Sequence, residues 1–126
     1  MKLVFDANIL IDHLRGGAIW DQILKVIDEE TELFLPSIVV MELFSGNSSG
    51  DTKVEQRILN LLKCFRILDL DEEIAQKAGE IYRDVNPNLD VPDYIVAATA
   101  LKLKAQVVTL NKKHFKHIPG VRLFEF

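Results

Sequence analysis

Lys2-Leu3-Val4-Phe5-Asp6 is a short run of apolar residues that ends at an acid. A helix-like pattern follows at once, beginning at Ile9, so the apolar run predicts a short strand buried on both faces of a parallel sheet. In open parallel sheets, ligands bind in the crevice outside the carboxyl ends of the strands. Asp6 is expected at that end. The question is which other acids the fold brings to it.

Four further apolar segments predict strands. They are Leu33–Leu35, Phe65–Leu68, Val107–Thr109 and Val121–Phe124. Because helical patterns lie between the strands, the chain is predicted to be an α/β sandwich with a mainly parallel sheet of roughly five strands. No internal repeat, low-complexity segment or linker divides the chain, so residues 1–126 are expected to form a single domain.

Seven segments carry helical patterns. The predicted helices are Ala7–Arg15, Ala18–Glu29, Ile38–Ser45, one from Asp51 or Thr52, one capped within Asp69–Asp71 and ended by Asn86–Asn88, Pro92–Lys104, and a short one ending at Phe115. Ser37 and Asn111 are expected to cap the helices that follow them. Gly16-Gly17 should end the first helix, and Gly46–Gly50 should form a loop.

The charge balance bounds the function only weakly. The formal net charge is −4, from 15 basic and 19 acidic residues. A protein that simply coats nucleic acid should be basic, so the charge argues mildly against a nucleic-acid partner. The same acidity would arise if several carboxylates were gathered to hold a cation, and composition does not decide between these two explanations.

The sequence also indicates the cellular compartment in which the protein is expected. No apolar run reaches the ~18 residues of a membrane span and no targeting pattern opens the chain, so we expect a cytoplasmic protein that does not enter a membrane. Cys64 is the only cysteine, which excludes an intramolecular disulfide. We expect its thiol to be buried in a helix as a small apolar group.

Three acids and one amide stand out from the solvated acids of the chain. Asp6 ends a buried strand, and Glu42 lies in a helix that is apolar almost all round, where an unpaired carboxylate would be costly. Asp93 begins a row of small apolar residues with Ala97 and Ala100, which should pack inward. Asn111 follows the fourth strand and is therefore also expected at a carboxyl end.

Each of these residues has a simpler structural explanation. Asp6 can act as the N-cap of the first helix, Glu42 can form an ion pair with a basic residue, and Asp93 can interact with a helix dipole. For Asn111, capping is the better explanation when it is taken alone. Asp90 is more simply a loop or capping residue.

Grouped carboxylates are suited to a hard divalent cation, since Mg²⁺ prefers oxygen ligands and is usually held by one or two carboxylates. Without a cation, such acids would raise each other's pKa. The three histidines and one cysteine are not spaced as a zinc motif. A glycine-rich phosphate loop and a nucleophile elbow are also absent from the sequence.

Four motifs together resemble one known family. They are residues 4–12 (VFDANILID), 37–43 (SIVVMEL), 91–100 (VPDYIVAATA) and 107–115 (VVTLNKKHF), followed by the ending Ile118–Val121. In this order and at this spacing they resemble PIN-domain proteins, and most closely the small VapC toxins of toxin–antitoxin pairs. The resemblance covers nearly the whole chain.

The resemblance implies a three-layer α/β/α fold and an endoribonuclease dependent on Mg²⁺, with Mn²⁺ as the alternative ion, that cleaves structured RNA such as tRNA or rRNA. It also implies a homodimer and a cognate VapB-like antitoxin. By resemblance, Asp6, Glu42 and Asp93 are the metal-binding catalytic acids. Two departures are Ala7, where a hydroxyl is common, and Asn111, where many members have a fourth acid.

The resulting hypothesis assigns a role to each residue. Asp6 and Asp93 would hold the cation, Glu42 would be a further ligand or the base that orients the attacking water, and Asn111 would position water at the ion. Arg15, Lys112 and Lys113 are expected to meet flanking phosphates, or else to be ordinary solvated cations.

Two competing classes can be weighed. A receiver domain requires an acceptor Asp after a middle strand, but the second predicted strand ends in Leu35-Pro36; a haloacid-dehalogenase-type phosphatase requires Asp-x-Asp where this chain has Asp6-Ala7-Asn8. Both are disfavoured. The remaining alternative is a catalytically inactive PIN fold that binds RNA or protein.

Overall fold

In the computed structural model, which describes residues 1–46, 50–85 and 89–126, the first strand is the centre of the sheet. This strand, β1 (Lys2–Phe5), pairs in parallel with one strand on each side. Leu3, Val4 and Phe5 have no solvent exposure at all. The prediction of a strand buried on both faces is confirmed, and it places Asp6 at the carboxyl end of the central strand.

The other strands also run parallel to β1. They are β2 (Glu32–Pro36), β3 (Arg66–Leu68), β4 (Gln106–Val108) and β5 (Arg122–Leu123). Their order across the sheet is β3-β2-β1-β4-β5. All five predicted strands are present, and no strand end differs from the predicted one by more than one residue.

The described residues contain seven helices. They are α1 (Ala7–Leu14), α2 (Ile19–Val26), α3 (Ser37–Phe44), α4 (Thr52–Leu62), α5 (Glu72–Asp84), α6 (Val91–Leu103) and α7 (Lys112–Phe115). Asp71 caps α5 by accepting from a backbone N–H group, as predicted. Asp51 caps α4 in the same way, which agrees with the predicted start of that helix at Asp51 or Thr52. After α1, Gly16 has a φ of +88°, which favours glycine, and any Cβ at Gly17 would overlap the Asp12 carboxylate.

The direction of the chain across the sheet explains the three layers. The chain steps from β1 to β2 to β3 through α1–α4, then returns past β2 and β1 to β4 through α5 and α6. Because such crossovers are right-handed, steps in opposite directions place their helices on opposite faces. Accordingly, α1 packs on α2, α3 and α4, whereas α5 packs on α6. The predicted α/β/α sandwich is confirmed.

Several local predictions are wrong. Ser37 is already helical and its side chain makes no capping hydrogen bond, because β2 continues through Pro36 directly into α3. Cys64 is exposed, because α4 ends at Leu62 and the chain turns before β3. The loop predicted at Gly46–Gly50 and the helix end predicted at Asn86–Asn88 include residues 47–49 and 86–88, which lie outside the described part of the chain.

The buried apolar side chains of both helix layers and the sheet form one core. At its centre, the Phe5 ring lies edge-on to Trp20 and Phe65, with ring centroids 5.7 and 5.1 Å away. Within the described residues, no helix has the length and apolar character needed to cross a membrane.

The aromatic cluster gives a stability prediction. We expect Phe5→Ala to lower the free energy of unfolding by about 3–5 kcal/mol, because it leaves a cavity between a fully buried strand and two aromatic rings. Urea unfolding followed by Trp20 fluorescence measures this change. Val26→Ala, at a side chain that is 58% exposed, is the control and should change the value by no more than about 0.5 kcal/mol. A loss for Phe5→Ala as small as that of the control would contradict the central place of this ring.

Candidate active site

Asp6 is fixed in place by hydrogen bonds from two separate segments of the chain. Its backbone N–H donates to the carbonyl of Val108 at 3.0 Å, which continues the β1–β4 pairing. One carboxylate oxygen accepts from the Ala7 N–H at 2.8 Å, and the other accepts from the Thr109 hydroxyl at 2.8 Å. Asp6 is therefore the N-cap of α1 and also a buried carboxylate, only 5% exposed, at the carboxyl end of β1.

Asp93 lies in the first turn of α6 and is 7% exposed. The row that it begins packs inward as predicted, since Ala97 and Ala100 are also buried. Its Oδ2 atom lies 3.5 Å from Nδ1 of His114, a residue of α7. Because α6 packs on β1, β2 and β4, its first turn brings Asp93 toward Asp6.

Glu42 projects from α3 and is half-buried. Its Oε1 atom is buried and has no hydrogen-bond partner among the described residues. It makes no ion pair in that part of the chain, and residues 47–49 and 86–88 include no basic side chain. The explanation of Glu42 as half of a structural ion pair is therefore wrong. A buried, unpartnered carboxylate oxygen is costly unless something else binds to it.

The three carboxylates influence one another electrostatically. Burial raises the pKa of Glu42 to about 7, and the negative charges of Asp6, Asp93 and Asp90 contribute to this rise. Burial, together with the charge of Asp6, also raises the pKa of Asp93, against the opposing effect of His114. Burial raises the pKa of Asp6 as well, although the Thr109 and Ala7 hydrogen bonds oppose it. The fold thus brings together the three acids named from the sequence.

Asn111 is placed beside this group through its backbone. Its N–H donates to the Thr109 hydroxyl oxygen at 3.0 Å, and the same hydroxyl donates to Asp6. Asn111 is the N-cap residue of α7, but its exposed side chain makes no capping hydrogen bond to described residues. The capping explanation is therefore wrong for this side chain.

The three acids provide the type of ligand that a cation site needs, but they are not arranged as a complete metal site among the described residues. All the candidate ligands are carboxylate oxygens, which a hard divalent ion prefers. The unpartnered Oε1 of Glu42 and the raised pKa values are features that a bound cation would relieve. Among the described residues, however, no group of three or more His, Cys, Asp or Glu side chains is already arranged to hold a metal ion. The residues fit the ion by their chemistry.

Three polar residues around the acids were not assigned roles from the sequence. Thr109 is 1% exposed and bonds Asp6, Asn8 donates to Asp6 at 3.2 Å, and His114 faces Asp93. For Thr109 the sequence did contain a signal, because a hydroxyl residue at the end of an apolar strand is expected at the same edge of the sheet as Asp6. Asn8 and His114 carry no such signal, because their partners are distant in sequence.

The three basic residues named from the sequence have different surroundings. Lys112 is paired with Glu125 at 3.0 Å and lies over the ring of Phe126. Arg15 has no ion pair among the described residues, and it lines both a cleft that includes Glu42 and a cleft that includes Asn8. Lys113 lines a different cleft together with His114. Arg15 is thus a cation beside Glu42 that has no ion pair in the described part of the chain.

Comparisons with known proteins point to one family. The PIN domain family matches residues 3–121. Ribonuclease VapC19 of Mycobacterium tuberculosis is 27% identical over 123 residues, which cover 97% of this chain and 98% of the relative. Ribonuclease VapC10 of the same organism is 30% identical over 116 residues, covering 90% of this chain and 85% of the relative. A chain of a toxin-antitoxin complex from Klebsiella pneumoniae is 30% identical, with a TM-score of 0.78 and coverage of 98% of this chain and 99% of that one.

The raised pKa of Glu42 predicts how stability depends on pH in buffer with EDTA. Its pKa is about 7 in the folded protein, against an ordinary value of 4.5. Between these values the folded state binds more protons than the unfolded state, so the free energy of unfolding falls as pH rises through this window. Glu42→Gln should therefore be the more stable protein at pH 8, by about 1–2 kcal/mol after allowance for solvent screening, and should equal the wild type near pH 4.

Urea unfolding at several pH values measures this difference. Glu29→Gln, at an exposed position, is the matched control and should follow the wild type at every pH. A Glu42→Gln variant that is no more stable than the wild type at pH 8 would show that the carboxylate is not strained by burial and by its acidic neighbours.

Proposed function

This chain belongs to the PIN-domain family, in its VapC ribonuclease branch, and from that premise we propose that it is a metal-dependent endoribonuclease that hydrolyses phosphodiester bonds in structured RNA, such as tRNA or rRNA. In the cell it is the toxin of a toxin–antitoxin pair. One observation carries the proposal: an oxygen of Glu42 is buried without a hydrogen-bond partner among the described residues, near enough to Asp6 and Asp93 for their charges to raise its pKa. Grouped acids of this kind are suited to a divalent cation.

Asp6 and Asp93 would hold Mg²⁺ or Mn²⁺, with Glu42 as a further ligand or as the general base. When bound, such an ion activates water and stabilises the charge that develops at the scissile phosphate. Asp6 supports this role because its two oxygens are held in one orientation by Ala7 and Thr109. In the role of general base, Glu42 would accept a proton from the attacking water. As the water oxygen bonds to phosphorus, the bond to the leaving oxygen breaks and that oxygen gains a proton.

We include two partners in the proposal. A VapB-like antitoxin is supported by the Klebsiella pneumoniae relative, which was solved as a toxin-antitoxin complex. The net charge of −4 would favour a basic antitoxin segment over the acidic site. A homodimer is the expected assembly on family resemblance. A PIN fold that only binds RNA or protein is the competing function, and the retained acids argue against it.

The test is cleavage of a pool of structured RNAs by the purified protein in Mg²⁺, in Mn²⁺ and in EDTA. We expect cleavage with either ion and none in EDTA. Asp6→Asn and Asp93→Asn should each reduce the rate by at least about 100-fold, more than the loss typical of groups outside the ligand shell. Asp21→Asn, an exposed acid in the first turn of α2, is the matched control and should cleave like the wild type.

Two outcomes would reject the proposal. Cleavage that survives EDTA or both substitutions would mean another mechanism or a contaminant. RNA binding without turnover under any of these conditions would indicate the binding module instead.

The position of Arg15 gives a second prediction for the same assay. Because its guanidinium has no ion pair among the described residues and it lines the cleft that includes Glu42, Arg15→Ala should raise the KM for RNA. It should also reduce the slope of log affinity against log salt by about 1, as expected for one lost phosphate contact. Lys25→Ala makes the same charge change at an exposed position of α2 and should leave both quantities unchanged. Equal effects of the two variants would show that only the net charge matters.

A further inference from the structure

Asn8 connects the two strand ends that build the acidic site. It is the second residue of α1, directly after the β1–α1 junction. Its Nδ2 atom donates to Asp6 Oδ2 at 3.2 Å and to Thr109 Oγ1 at 3.3 Å, and its Oδ1 atom accepts from the Leu110 N–H at 3.1 Å. One side chain thus contacts the acid after β1 and the turn after β4, although these segments are about one hundred residues apart in sequence.

The network around Asn8 leaves the Asp6 carboxylate little freedom to rotate. Oδ1 is held by the Ala7 N–H, and Oδ2 is held by the Thr109 hydroxyl and the Asn8 amide. The turn after β4 is held in the same way, because the N–H groups of Leu110 and Asn111 both point back into this group. A carboxamide is suited to this position because it donates and accepts at once.

Helix stability does not account for this residue. Asn is less favourable than Ala in a helix, because its side chain competes for backbone hydrogen bonds. Here the side chain makes hydrogen bonds outside its own helix, to Thr109 and Leu110. Its hydrogen bonds therefore hold Asp6 and the turn between β4 and α7, and they do not stabilise α1.

We propose that Asn8 is a positioning residue that sets the orientation of Asp6 and joins it to the Thr109–Asn111 turn, so that the carboxyl ends of β1 and β4 present their groups as one unit. This inference rests on the proposed function, because the orientation that Asn8 sets is the one in which Asp6 would hold the cation. Asn8 acts through its hydrogen bonds to Asp6 and to the turn.

The test compares Asn8→Ala with Asn60→Ala. Asn60 is an exposed residue of α4 whose side chain accepts a hydrogen bond from Gln56, so the control removes the same chemical group from a helix position that does not line the cleft at Glu42. Three quantities are measured on folded protein: Mn²⁺ affinity by calorimetry, kcat and KM for RNA, and hydrogen exchange of the Leu110 amide.

For Asn8→Ala we expect Mn²⁺ affinity to fall about 10–100-fold, as is typical when a group that orients a ligand is lost. We expect kcat to fall with KM for RNA unchanged, and the Leu110 amide to exchange faster because its acceptor is gone. Asn60→Ala should match the wild type in all three. Asn8→Gln keeps the amide but moves it by one methylene, so it should not restore the affinity.

Mn²⁺ affinity within twofold of the wild type in Asn8→Ala would overturn the inference, as would full restoration by Asn8→Gln or an equal loss in Asn60→Ala. Failure of the proposed function looks different. In that case the wild-type protein itself binds no Mn²⁺ and cleaves no RNA, whereas failure of this inference alone leaves a wild type that does both.

Discussion

The structure depends on gathering carboxylates at the carboxyl end of a strand whose last three residues have no access to solvent. Asp6 follows three residues with zero exposure and is itself almost completely buried. Burial of a charge in this way is unfavourable unless hydrogen bonds or an opposite charge compensate. The Ala7 N–H and the Thr109 hydroxyl supply part of that compensation. The other two acids increase the electrostatic cost, since the pKa of Glu42 is raised partly by Asp6 and Asp93.

The parallel topology explains why these acids meet. The chain moves outward from β1 to β3 on one face and returns to β4 on the other, so helices that begin at the same edge of the sheet approach its central strand from both sides. α3 follows β2 without a break and carries Glu42 to that edge, while the first turn of α6 carries Asp93 there from the opposite face. α3 and α6 contact each other despite belonging to different layers. A site that gathers acids from both layers follows from this arrangement.

Strain of this kind is typical of functional sites rather than of folds selected for stability alone. The side chain of Glu42 has an oxygen that nothing among the described residues satisfies, while the acids at exposed helix starts, such as Asp51 and Asp71, are satisfied by backbone N–H groups. Carboxylates therefore have two different roles in this chain. One caps a helix and stabilises it locally, and the other is held in an unfavourable state that a bound cation would relieve.

Local patterns in the sequence were sufficient to predict the helices, the strands and the three acids. The apolar run of β1, the cap at Asp71 and the inward row of Asp93, Ala97 and Ala100 each depend on neighbours within a few residues. The groups that surround the acids could not be predicted in this way. The bond from Asn8 to Leu110, the approach of His114 to Asp93 and the pairing of Lys112 with Glu125 depend on how the layers pack. The predictions that Cys64 is buried and that Ser37 and Asn111 cap helices were wrong for a related reason. The strands and turns that adjoin a helix determine where it ends.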